Sequence, residues 1–270
     1  MYFNSILFST LLHLIIGSNF IMTEIKDSTK QPEAVNITIV YDNNPMLKGL
    51  ETDWGFSCLV EVGKLKILFD TGNNGNIFLS NMNKLGINPQ SIDICFLSHL
   101  HYDHTGGLKE FLEKNSNLKI YYPQSFPREL IEVIENSGAV PVPVSGFTEI
   151  LPDVYSLGEL NGSIPEQSLA VRSPEGIVII TGCAHPGIIN ILQKAKTKFP
   201  GETIYLALGG FHLRSFDENG LNEVIKKITE MDIRKLAPTH CSGDLTRKMF
   251  KEFFGSNYIE AGAGKVINIK

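Results

Sequence analysis

The sequence predicts an α/β protein of αββα type, with two mixed β-sheets packed face to face and helices on the outside. Three observations lead there. From residue 35 onward, short apolar runs rich in β-branched residues alternate with stretches whose apolar residues recur at helical spacing. Early runs follow one another as hairpins and later ones are separated by helices, which suits mixed sheets rather than one parallel sheet. No Pro/Gly/Ser-rich linker or charge run divides the 270 residues, so residues 35–270 read as a single domain.

Taken in order, the chain opens on an apolar stretch, ILFSTLLHLII at 6–16, with the length of a signal-peptide core but too short to span a bilayer comfortably. The first Lys or Arg is Lys26, so the basic flank of a signal is missing, and MTEIKDSTK from Met22 reads as a cytosolic start. Residues 1–21 are therefore expected to be an apolar leader or upstream extension, and 22–34 a flexible segment. The expected location is cytoplasmic; the alternative is export or membrane association through 1–21. A chain begun at Met22 should fold and act.

Strands are expected at 35–41, 56–62, 66–69, 92–97, 118–122, 154–157, 169–172, 177–181, 203–208, 235–237 and 265–269. Helices are expected at 76–85, 108–114, 128–136, 187–198, 220–230 and 245–253. With 43% hydrophobic residues the chain can bury a substantial core, and 20% charged residues is ordinary for a soluble protein. The net charge of −5 provides no basic footprint, so nucleic acid is not expected as a partner, although a local anion pocket remains open. No stable membrane association is expected. The four cysteines, Cys58, Cys95, Cys183 and Cys241, form no CxxC pair, and Cys58 and Cys95 read as reduced core thiols.

Chemistry concentrates in SHLHYDHTGG, 98–107, which holds three of the seven histidines and an aspartate within six positions. The run follows the apolar IDICFL and precedes apolar residues at helical spacing, so it lies on a strand-to-helix loop, where α/β proteins build sites. In an extended segment His99, His101 and Asp103 would share one side and His104 would face elsewhere. That arrangement can serve two adjacent ions, one held by His99 and His101, the other by Asp103 and His104. Imidazole and carboxylate are donors suited to zinc, iron or manganese.

HLHYDHTGG matches the HxHxDH signature of the metallo-β-lactamase superfamily, and Asp70-Thr71-Gly72 after KILF matches its upstream DTG. The sequence is narrower still in its resemblance. DNN (42–44), WGFS (54–57), LFDTG (68–72), TGCAHPGI (181–188), LGGFH (208–212) and THCSG (239–243) occur around the histidine run in the order of one subgroup. That subgroup is named for 7,8-dihydropterin-6-methyl-4-(β-D-ribofuranosyl)aminobenzene-5′-phosphate synthase, an enzyme of methanopterin-type cofactor biosynthesis. The likeness covers about residues 36 to 270. It implies the metallo-β-lactamase fold and one or two divalent ions, zinc first, with iron, manganese or magnesium as alternatives.

Within that resemblance His185 is expected as third ligand beside His99 and His101, and His240 as completing the pair Asp103 and His104. Both end predicted strands. Ser242-Gly243-Asp244 looks like a helix start whose free N–H groups could meet an anion. Asp70 suits a carboxylate that fixes a ligand histidine from behind. Where many superfamily members carry TGD, this chain reads Thr181-Gly182-Cys183, and the usual upstream GHTPG histidine segment is replaced by PEQS at 165–168. His185, Glu166 or Cys183 are the candidates to replace those ligands, and a packed thiol is the other reading of Cys183.

The resemblance implies a small phosphorylated substrate and a transferase that joins a dihydropterin diphosphate to an aminobenzene ribofuranosyl phosphate with loss of pyrophosphate. The alternative is a metal-dependent hydrolase of phosphoesters, lactones or related esters. Asp103 and His212 are the expected catalytic residues. Lys48, Trp54, His212 and Arg214 are the expected substrate contacts, Trp54 by stacking on a flat ring.

Overall fold

The computed structural model describes residues 31 to 270; the apolar leader at 1–21 lies outside the described residues. Strands β1 (Val35–Asp42), β2 (Phe56–Val62) and β3 (Leu65–Phe69) run as antiparallel hairpins. Helix α1 (Gly75–Lys84) then leads to β4 (Ile94–Phe96), parallel to β3. A short helical turn, α2 (Tyr102–Thr105), and α3 (Leu108–Lys114) precede β5 (Lys119–Pro123), and α4 (Arg128–Ser137) precedes β6 (Val140–Val144). Strands β7 (Thr148–Leu151), β8 (Val154–Ser156), β9 (Leu169–Ser173) and β10 (Gly176–Thr181) form an antiparallel meander. Helix α5 (Ile188–Lys198), β11 (Ile204–Gly210), α6 (Glu218–Glu230), β12 (Lys235–Thr239), α7 (Asp244–Phe254) and β13 (Val266–Ile269) complete the chain.

Among the described residues these strands make two mixed sheets, in the orders β13-β1-β2-β3-β4-β5-β6 and β12-β11-β10-β9-β8-β7. The expected fold class is therefore observed, and its cause is visible in the alternation of single strands. On β10, Val178 and Ile180 point to a core shared with Ile37, Val60, Phe69 and Phe96 of the other sheet. Their neighbours Ile177 and Ile179 pack on α5 and α6 through Ile191, Leu192, Leu221 and Ile228. On the first sheet Leu59, Leu68 and Cys95 turn outward onto Phe78 of α1 and Phe111 of α3. Period-two alternation on both sheets thus yields helix, sheet, sheet, helix.

Most expected elements appear within a residue or two. The strand expected at 92–97 shrinks to Ile94–Phe96. Two strands the pattern missed are β6, which reads VPVPV, and the short bulged β7. Proline cannot donate to a ladder, so β6 survives only because it is an edge strand paired on one side to β5. No helix among the described residues is long and apolar enough to cross a membrane.

Candidate metal centre

The parallel strands aim their carboxyl ends at one place: Asp70 follows β3, His99 follows β4, Cys183 and His185 follow β10, His212 follows β11 and His240 follows β12. Four non-glycine residues there, Asp70, Ala184, His212 and His240, have φ between 49° and 60°. Left-handed backbone costs free energy, and four such residues gathered at one end of the sheets mark a site rather than a set of ordinary turns.

The histidine run is not extended throughout, as the alternation argument required. It becomes helical at Tyr102, and the turn carries Asp103 and His104 together to a second group of donors. One group is His99, His101 and His185; the other is Asp103, His104, Cys183 and His240. In the first, His99 Nε2 and His185 Nε2 lie 3.2 and 3.1 Å from His101 Nδ1. In the second, His104 Nε2 lies 3.3 Å from both His240 Nε2 and Cys183 Sγ, and Asp103 Oδ2 lies 3.2 Å from His240 Nε2. Residues separated by more than 130 positions are thus brought together. A third donor combination, Cys183, His185 and His212, shares the Cys183 sulfur with the second group.

Four of the histidines are aimed from behind. His104 Nδ1 lies 2.7 Å from Asp70 Oδ2, and the same carboxylate accepts the Ser98 hydroxyl at 2.6 Å and the Ser98 N–H at 2.7 Å. Ser98 Oγ stands 2.9 Å from His99 Nδ1, so one buried aspartate steadies two imidazoles. His240 Nδ1 lies 2.9 Å from Asn43 Oδ1, and His185 Nδ1 lies 3.2 Å from Ser163 Oγ. The Asp42 carboxylate ties the flanking residues together, accepting from Thr239 Oγ1 at 2.6 Å and from the Asn44 N–H at 2.7 Å.

With protons held on the Nδ1 atoms of His104 and His240 by oxygen acceptors, two Nε2 lone pairs face each other, an arrangement that calls for a cation. Tetrahedral zinc, with zinc–nitrogen distances of roughly 2.0–2.1 Å, separates neighbouring nitrogens by about 3.3–3.4 Å. The nitrogen contacts of 3.1 to 3.3 Å match that spacing, so the residues fit a pair of divalent ions.

For three of the histidines titration supports the same reading. Burial, then the neighbouring histidine charges, hold His99 well below its ordinary value; burial brings His104 down to about 3, and burial with His212 brings His185 down to about 4. Neutral imidazole is the form that binds a metal. Burial works against charge on His240, but its hydrogen bond with Asp103 prevails and raises it. Burial likewise works to raise Asp103, and the His240 hydrogen bond with the His104 and His240 charges lowers it below the usual carboxylate range.

Cys183 is 3% exposed, and its sulfur stands among the donors of the second group. Glu166 is not a donor to either group. Its Oε1 accepts the N–H groups of Gly182, Cys183 and Ala184 at 3.0, 3.1 and 3.0 Å, and its Oε2 accepts that of His185 at 2.8 Å. Its carboxylate therefore shapes the turn that carries Cys183 and His185. Gly182 has no freedom in side chain either, because a Cβ there would run into Ser98 Oγ, the relay between Asp70 and His99.

Beside the donors a cavity of about 380 Å³ is lined by Trp54, His212, Arg214, Ser215 and Cys241. Three of the expected substrate contacts are there. The Trp54 ring lies 4.8 Å from that of His240, and the Arg214 guanidinium lies 5.2 Å over the Trp54 ring. His212 lies 4.4 Å, ring to ring, from His185 and is raised above its ordinary value, first by its hydrogen bond with Cys241. Lys48 is exposed and lines no part of this cavity. Asn43, Ser163 and Cys241 were missed as site residues; Asn43, inside DNN, and Cys241, inside THCSG, lay in segments that carried a signal, and Ser163 did not. Cys58 and Cys95 are buried core thiols, as expected.

A family model described as the metallo-β-lactamase superfamily matches residues 55–240. A curated protein of Methanocaldococcus jannaschii, 7,8-dihydropterin-6-methyl-4-(β-D-ribofuranosyl)-aminobenzene-5′-phosphate synthase, is 32% identical, the match covering 79% of this chain and 89% of that protein. Tm1679, described as a metal-dependent hydrolase of the β-lactamase superfamily, has a similar solved structure: TM-score 0.73, 29% identity, 86% of this chain and 98% of that one. YhfI of Bacillus subtilis, a metallo-β-lactamase fold protein, shares the fold at TM-score 0.67 and 16% identity, over 87% of this chain and 99% of its own. From sequence model, fold and relatives alike, this chain belongs to the metallo-β-lactamase superfamily, as a metal-dependent enzyme.

Proposed function

We propose that this chain is a cytoplasmic transferase, residues 35–270 acting as one domain, that joins a dihydropterin diphosphate to an aminobenzene ribofuranosyl phosphate with loss of pyrophosphate. The observation that carries this reading is the 32% identity to the M. jannaschii synthase over most of both chains. In it, His99, His101 and His185 hold one ion, and Asp103, His104 and His240 hold its neighbour with the Cys183 sulfur at hand. Imidazole with a thiolate favours zinc. When bound, the ions supply Lewis-acid stabilisation of charge on phosphoryl oxygens.

The chain's own residues do the rest. Trp54 and Arg214, on the wall of the 380 Å³ cavity, receive a flat ring and a phosphoryl group. The amino nitrogen of one substrate attacks the methylene carbon of the other. The carbon–oxygen bond to the diphosphate breaks, and its electron pair leaves on the diphosphate. His212 gives its proton to that departing oxygen and regains one from the nitrogen, so the balance closes without water. Asp103 stays ionised and keeps His240 in register.

Hydrolysis is the second reading, favoured by the likeness to Tm1679 at 29% identity. One experiment separates the two: metal-loaded protein incubated with both substrates. Coupled product is the expected result; a free hydroxymethyl dihydropterin, with the aminobenzene unconsumed, would replace transferase by hydrolase.

A further inference from the structure

A second, smaller cavity of about 140 Å³ adjoins the first, sharing Trp54 and Arg214 as its wall. Its other lining is Asn43, Asn44, His240, Gly243, Asp244 and Arg247, so it abuts the second donor group through His240. Two guanidiniums thus meet one carboxylate, in a chain whose net charge is −5. Asp244 is exposed, where water screens it.

Each arginine keeps a donor without a protein partner among the described residues. Arg214 is exposed and touches the Trp54 ring; no ion pair or hydrogen bond engages it among the described residues. Arg247 is fixed at its far end, where Nη1 donates to Asn44 Oδ1 and Nη2 donates to the Ala261 carbonyl at 3.2 Å, with Glu260 4.0 Å away. Its Nε is buried and has no partner. A buried donor without an acceptor is costly, by about 1–3 kcal/mol, and such a group is accounted for when a ligand oxygen completes it. The N–H groups at the start of α7 open beside Gly243, which no side chain caps.

Charge selects the ligand. At about 140 Å³ the cavity has room for one phosphoryl group. Guanidinium forks match the tetrahedral oxygens of phosphate. We propose that this smaller cavity binds the terminal phosphate monoester of the substrate, clamped between Arg214 and Arg247, while the larger cavity takes the flat remainder. The proposal rests on the phosphorylated substrate of the preceding reading and adds where that phosphate goes: beside the ions, not on them.

The test is calorimetric titration of ribose 5-phosphate, ribose and inorganic phosphate into the metal-loaded full chain. Ribose 5-phosphate should bind at least tenfold more tightly than either other probe. Arg214→Met and Arg247→Met should each erase tenfold or more of that affinity and leave ribose unchanged. Because Arg247 also ties Asn44 to Ala261, Arg247→Lys and the unencumbered Arg214→Met guard against a folding defect. In cobalt-substituted protein, ribose 5-phosphate should leave the visible absorption unmoved. Unchanged affinity in Arg214→Met, inorganic phosphate binding as tightly as the ester, or a cobalt spectrum that shifts would each overturn the pocket. A protein that hydrolyses but does not couple would leave these affinities as expected, so the two readings fail separately.

Discussion

The two sheets furnish the metal centre in opposite ways. The first sheet delivers His99, His101, Asp103 and His104 from one short run after β4, braced by Asp70 from the neighbouring parallel strand β3. The second delivers Cys183, His185, His212 and His240 from the ends of three parallel strands, each borne on its own turn. A local run can be specified by a few adjacent residues. Dispersed ligands depend on the whole sheet holding register, so the second half of the site is a property of the fold.

The largest effects should show whether that difference matters once the chain is folded. His101→Ala and Asp103→Ala from the run, and His185→Ala and His240→Ala from the dispersed set, should each lose about one equivalent of metal and nearly all activity, with circular dichroism unchanged. Elemental analysis decides it. If the dispersed variants keep both ions, the second sheet is a wall and not a partner in the centre.

Next come the residues that aim the ligands. Asp70→Asn should weaken metal binding toward the upper end of the roughly 10–100-fold range for such supports, because Asp70 steadies His104 directly and His99 through Ser98. Asn43→Ala, behind His240 alone, should fall nearer tenfold. Competition with a chelator measures both. Equal losses would mean that the relay through Ser98 carries nothing.

A smaller effect distinguishes the halves by pH. In metal-free protein His104 and His185 are depressed to about 3 and about 4, so the folded state binds fewer protons than the unfolded one below the ordinary value of 6.5. Their stability contribution is present above 6.5 and is lost as pH falls through about 4 and then about 3. Thermal unfolding of chelated protein should show that loss, and His185→Gln should remove the part centred nearer pH 4.

The smallest effect is expected away from the centre. Arg172 bridges Glu202 at 2.8 Å and Asp153 at 3.1 Å on β9. It is partly exposed, so Arg172→Ala should cost about 1 kcal/mol, a few degrees in melting temperature, with metal content unchanged. Lost metal would show the distal edge to be coupled to the site.

The contrast between the sheets also explains what could be read from sequence. The layered fold was legible because strands such as β10 are apolar on both faces and α5 and α6 repeat at helical spacing. The histidine run was legible because density in sequence meant density in space. His185 and His240 were readable as strand-end histidines, through resemblance. The helical turn at Tyr102 was not, since residues 98–103, Leu100 apart, carry polar side chains that suit either backbone. Nor was the part played by Glu166, whose four acceptor contacts are to backbone N–H groups and so leave no trace in residue type. β6 was hidden by prolines that its edge position tolerates.

The Glu166 carboxylate couples the two donor groups. It holds the turn from Gly182 to His185 by four contacts to backbone N–H groups, and that turn carries Cys183 of one group and His185 of the other. A displacement of this one turn would move a donor in both groups at once, so the geometry of one cannot be altered there without altering the other.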